Sequence, residues 1–92
     1  MSLIAVIEEV FSRPPIPFRP EQQSLKGWIT FCLRDRGFKV IYAQNADFAI
    51  ESRTNGKIYF NVTEDATNLD GKVGWIVRNP DTDKITVIAP QD

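Results

Sequence analysis

The chain predicts an α+β domain, with two N-terminal helices packed on a mostly antiparallel sheet of about five strands. Three observations carry that prediction. Apolar residues recur every three or four positions through the first third of the sequence. From residue 38 onward the period changes to two. Asn55 and Gly56 separate two alternating runs, a strong local mark of a hairpin. The 92 residues are expected to form a single domain, near the small end of independent folding.

The first helix is predicted over residues 3–11, where Leu3, Ile4, Ile7, Val10 and Phe11 fall at helical spacing behind Ser2 as N-cap. It stops at a proline-rich connector, residues 13–20, which holds four prolines in eight positions. Pro14, Pro17 and Arg19 match a PxxPxR ligand pattern, but the simpler reading is a stiff spacer pinned by Phe18. The second helix is predicted over residues 20–36, with Pro20 in its first turn. Leu25, Trp28, Ile29, Cys32 and Leu33 form its buried stripe. Gly37 ends it, and Arg34 and Arg36 suit the negative end of its dipole.

Strands occupy residues 38–89. A short strand at 38–42 leads through Gln44 and Asn45 into the hairpin. There Phe48 and Ile50 alternate with Asp47, Ala49 and Glu51, while Ile58, Phe60 and Val62 alternate with Tyr59, Asn61 and Thr63. A two-residue turn would place Ile50 opposite Asn61, which burial forbids. A three-residue loop at 54–56, with Gly56 left-handed in a G1 bulge, pairs Ile50 with Phe60 and Phe48 with Val62. It also sets Asp47 opposite Thr63, Ala49 opposite Asn61 and Glu51 opposite Tyr59. Thr63 is expected to cap one helical turn over residues 64–69. A fourth strand follows at 72–78, with Val73, Trp75 and Val77 on one face. A fifth follows at 84–89, after a turn begun by Asn79 and Pro80. The expected core is Trp28, Phe48, Ile50, Phe60, Val62 and Trp75, with Tyr59, Ile76 and Ile88 pointing away from it.

Composition excludes several function classes. There is no histidine, so Ser-His and Cys-His nucleophile pairs and histidine metal ligands are absent. The single cysteine, Cys32, cannot form an internal disulfide and reads as a buried thiol in a reducing compartment. A net charge of −1 does not predict a nucleic-acid or membrane partner. No run approaches the roughly 20 apolar residues of a membrane span, and the N-terminus lacks the basic lead of a signal peptide. The expectation is a cytoplasmic protein with no membrane partner. The acidic stretch at residues 64–71 fails as an EF-hand, because Ala66 and Val77 fall at ligand positions. No cofactor and no metal is expected.

The candidate site residues are Asp47, Glu51, Asn61 and Thr63, which the hairpin register gathers on its less apolar face. A helix, a strand, and a hairpin with an acid early in one strand and polar groups late in the next resembles the PD-(D/E)XK nuclease superfamily. In that superfamily an Asp opening the second core strand and an (Asp/Glu)-x-Lys on the third hold a divalent metal and orient water. Asp47 matches the first acid, but Asn61 stands where the second acid belongs and Thr63 where the lysine belongs. The later hairpin also departs from the superfamily's helix-then-strand. The resemblance covers roughly residues 20–65 and implies a degenerate, inactive core unless Glu51 or Glu64 replaces the missing acid. Arg34, Arg36, Lys39, Arg53 and Lys57 are the candidate nucleic-acid contacts, with solvated charge as the simpler reading.

The sequence therefore points first to a small non-catalytic interaction or regulatory domain with a protein partner. A degenerate nuclease-like domain that binds nucleic acid or a nuclease is the alternative, and an active metal-dependent nuclease comes last. A homodimer would cover the two edges of the open sheet.

Overall fold

A computed structural model describes residues 3–52, 56–67 and 69–91. The chain is α+β: helices α1 (Leu3–Ser12) and α2 (Leu25–Arg36) precede strands β1 (Lys39–Ile41), β2 (Phe48–Ser52), β3 (Gly56–Thr63), β4 (Gly74–Arg78) and β5 (Ile85–Ile88). The strands form one sheet in sequence order, antiparallel except where β4 runs parallel to β3. The expected N-cap Ser2 lies outside the described residues.

α2 begins later than the apolar spacing predicts. Residues 20–23 form a turn closed by Arg19, whose carbonyl accepts from the Gln22 and Gln23 amides. The helix starts after Ser24, whose hydroxyl accepts the Gly27 N–H at 3.0 Å. The Ser24 cap, rather than Pro20, therefore sets where the helix begins. Gly37 ends α2 as expected, at φ 106°. Its amide reaches Arg34 O and the Phe38 amide reaches Leu33 O, both at 3.0 Å.

One sheet face carries both helices. Ile7, Val10 and Phe11 of α1 and Trp28, Ile29, Cys32 and Leu33 of α2 close over Phe48, Ile50, Phe60, Ile76 and Val87. Phe48 and Phe60 stack with ring centroids 5.8 Å apart. The connector is pinned as expected. The Trp28 indole N–H donates to Ile16 O at 3.0 Å, and the Phe18 ring lies 5.3 Å from that of Trp28.

Two register expectations are corrected. The hairpin pairs Phe48 with Phe60, Ala49 with Tyr59, Ile50 with Ile58 and Glu51 with Lys57, two residues from the expected register. Burial alone cannot distinguish the two, because a two-residue slip leaves every side chain on its own face. The observed register sets the buried Phe48 and Phe60 rings directly opposite each other, where they stack. Gly56 is left-handed, at φ 66°, but pairs with Ser52 rather than closing the loop; residues 53–55 lie outside the described set. The second correction is β4, whose buried face is Gly74, Ile76 and Arg78 instead of Val73, Trp75 and Val77. A Cβ on Gly74 would lie 2.6 Å from the Phe60 ring, so Gly74 is the socket for that ring and fixes the strand's facing. Ile76 is accordingly fully buried, Val62 only partly, and Trp75 lies on the opposite face.

Among the described residues, no helical turn forms after Thr63. Its hydroxyl instead accepts the Asp65 N–H at 3.0 Å, a local turn that competes with helix formation. The chain then returns to β4 without a helix. Along this path the Trp75 indole donates to Asp70 O at 2.8 Å, and the Gln91 amide donates to Gly71 O at 2.7 Å.

Candidate functional site

β2 ends one residue short of the partner it needs at its Phe48 end. The Val62 N–H of β3 extends past Phe48, where no β2 carbonyl remains to accept it. Asp47 fills the gap, with Oδ2 accepting the Val62 N–H at 2.7 Å. In return the Asp47 N–H reaches Asn61 Oδ1 at 2.8 Å, besides Phe60 O at 3.1 Å. The two side chains thus complete a ladder that the backbone leaves open, and such bonds matter because an unpaired amide there would cost about 1–3 kcal/mol.

The corrected register changes which candidates meet. Asp47 sits beside Asn61, not Thr63. Thr63 lies two residues further along β3 and is committed to Asp65. Glu51 is four residues along the strand from Asp47, roughly 13 Å away. It pairs instead with Lys39, Nζ to Oε1 at 3.3 Å, and lies opposite Lys57. Glu64 turns to the helix-bearing side, toward Arg78. The structure therefore brings two of the four hairpin candidates together and separates the other two. Among the described residues, no three Cys, Asp or Glu side chains are placed to hold one metal ion.

The basic candidates are dispersed too. Arg36 pairs with Glu9 at 3.4 Å, and Lys39 with Glu51. Lys57 is exposed on the far end of the hairpin, and Arg53 lies outside the described residues. Arg34 lines a groove of about 370 Å³ between α2 and the first two strands, and Lys39 lines a separate one beside Phe38 and Glu51.

The polar residue that sequence reasoning missed is Arg78. Its side chain is only 11 % exposed. The guanidinium forks between the carboxylates of Glu64 and Asp83 and lies 4.8 Å over the Phe18 ring. Burial alone would lower its pKa; the hydrogen bonds and charges of Glu64 and Asp83 outweigh that and raise it. Nothing in the spacing of residues 72–78 marks Arg78 as internal. The available signal is chemical, a run of acids on both flanking loops. Cys32 is buried as expected, and its pKa is raised to about 11 by burial and by the nearby Asp35 carboxylate, so the thiol stays protonated at neutral pH.

The helix-free face of the sheet has a different character. The strand pairings set Ile41, Ala49 and Tyr59 in one row across three strands, and Asn61, Trp75 and Ile88 in the next. Val77 follows, between Thr63 and Thr86. Ala49 is fully buried although no helix covers it, while Tyr59 is 41 % exposed and Ile41, Trp75, Val77 and Ile88 are half-buried. At the hairpin end the face closes with the row Lys39, Glu51, Lys57.

No protein-family model matches the chain, and no curated protein or solved structure matches it. No helix among the described residues is long and apolar enough to cross a membrane.

Proposed function

We propose that the chain is a small non-catalytic interaction domain whose contact surface is the helix-free sheet face. One observation carries this reading. Ile41, Tyr59, Trp75, Val77 and Ile88, with the buried Ala49 of β2 between the first two, form a half-exposed apolar band across the sheet, which is the kind of surface that partner proteins cover. A second copy of the chain is the simplest occupant. The Lys39–Glu51–Lys57 row alternates in sign, so an antiparallel copy can set its Glu51 against either lysine. Sedimentation across a concentration series tests it. Wild type is expected to shift toward twice the monomer mass, and Tyr59→Glu with Ile88→Glu to remain monomeric. A monomer mass for wild type at the highest concentration removes the self-association reading.

The second reading is a degenerate nuclease-like domain. It is supported by Asp47 and Asn61 touching across β2 and β3, the positions that the resemblance assigns to the two metal-binding acids. A strand returning parallel to β3 also supports it, although the crossover lacks the superfamily's helix. The double variant Asn61→Asp/Thr63→Lys restores the missing groups. Magnesium binding gained by that variant, seen by calorimetry and abolished by Asp47→Asn, is the expected result; no gain counts against the kinship.

A further inference from the structure

In the groove between α2 and β1, cations and an exposed aromatic ring converge. Lys26, Thr30 and Arg34 succeed one another at four-residue steps, so they form a single stripe along α2. Thr30 turns its hydroxyl back to the Lys26 and Gly27 carbonyls, at 3.0 and 3.1 Å, and leaves the stripe's charge to its two ends. Neither Lys26 nor Arg34 forms an ion pair with a described acid, unlike Arg36, Lys39 and Arg78. The opposite wall is β1 and its continuation, Val40, Ile41 and Tyr42. Tyr42 is 86 % exposed, the most open large hydrophobic side chain among the described residues, and it lines the groove. Asp47 is the only acid lining it, with one oxygen already taken by Val62 N–H. Two cations against one carboxylate make the groove positive on a chain whose net charge is −1.

From this arrangement we propose that the α2–β1 groove binds single-stranded nucleic acid, with Lys26 and Arg34 on separate phosphates and Tyr42 stacked on a base. Eight residues of helix separate the two cations, about 12 Å along the axis. That is too far for one phosphate and suited to an extended strand. An unobstructed ring beside a phosphate track is the combination that accepts bases without reading their sequence. Duplex bases are already stacked on each other, so Tyr42 favours a strand whose bases are free. The groove shares only Ile41 with the sheet face proposed above as a contact surface. Binding there deepens the nuclease-like reading by naming a strand form, yet requires no metal.

Fluorescence anisotropy with a labelled 12-nucleotide oligothymidine, in EDTA and across a salt series, tests it. Wild type is expected to bind at low salt. Lys26→Gln/Arg34→Gln should weaken binding at least tenfold and reduce the slope of log affinity against log salt by about 1.4, two phosphate contacts at about 0.7 each. Tyr42→Ala should weaken it roughly five- to a hundredfold for the base-bearing strand and leave an abasic strand of equal length unaffected. All three side chains are exposed, so unchanged thermal melting is the folding control. Absence of wild-type binding at low salt overturns the proposal, as does binding that ignores the Lys26 and Arg34 changes. Equal, Tyr42-independent affinity for duplex and abasic strands overturns the single-strand assignment. Tyr59→Glu/Ile88→Glu should leave all of these values unchanged, so this proposal and the sheet-face reading fail separately.

Discussion

Asp47 and Arg78 are polar residues near the same end of the sheet, on the β2 and β4 sides of β3, and they are satisfied in contrasting ways. Asp47 finds its partner in the backbone and continues the β2–β3 ladder where β2 has run out. Arg78 is turned into the helix-bearing side and finds two acids from the loops on either side of β4, with an aromatic ring beneath it. The first needs only a hydrogen-bond acceptor of the right length. The second needs charge. A carboxylate just ahead of a strand can therefore look like a catalytic acid in sequence while serving to complete the strand's ladder, whereas an arginine at the end of an apolar strand gives no outward sign of its role.

The contrast can be broken most forcefully at Arg78. Glu64→Gln with Asp83→Asn strips the counter-charges from a guanidinium that stays buried, and should cost about 3 kcal/mol in denaturant unfolding. Both acids are partly exposed, so solvent limits the loss. Arg78→Met removes the charge along with the need for it and should cost less than the double change. If Arg78→Met is the more damaging of the two, the charge-led account of Arg78 fails.

Cys32 sharpens the comparison as a buried group with no counter-charge, which remains neutral instead. Its pKa moves from 9.0 to about 11. Above pH 9 the unfolded chain gives up this proton first, while the native state keeps it until about pH 11. The stabilisation is thus complete below pH 9 and is lost as pH rises from 9 to 11, by roughly 2 kcal/mol. Urea titrations between those values should show the slope in wild type and its absence in Cys32→Ala.

At Asp47 the effects are smaller. Asp47→Ala orphans the Val62 N–H and should cost about 1–2 kcal/mol. Asp47→Asn keeps an acceptor oxygen and should cost about 0.5 kcal/mol or less, because completing a ladder needs no charge. A loss from Asp47→Asn equal to that from Asp47→Ala would show that the charge matters there after all. The smallest effect belongs to the exposed Glu9–Arg36 pair, where Glu9→Gln should change stability by no more than about 0.5 kcal/mol.

These residues also show what could be read in advance. Both helices, the five strands, the Gly37 cap and the buried faces of α2, β2 and β3 follow from apolar period and turn chemistry. The two-residue hairpin offset was invisible, because alternation fixes which face a side chain takes but not its partner across the strand. β4 was misread because Val73, Trp75 and Val77 outnumber Ile76 in apolar count. Counting cannot see that Gly74 receives the Phe60 ring or that Arg78 arrives with its own acids. Of the candidate site, the meeting of Asp47 with Asn61 lay one register away from the expected partners. The groove beside Tyr42 depends on how α2 docks, which no local pattern encodes.

The helix-free return from β3 to β4 leaves this domain open to growth. Parallel neighbours are ordinarily joined by a helix. Here the join is an irregular segment anchored at its two ends, by Thr63 with Asp65 and by Asp70 with Trp75. Lengthening such a loop is thermodynamically cheap, about 0.6 kcal/mol for each doubling. Extra sequence placed after Ala66 would enter between those anchors without disturbing the sheet.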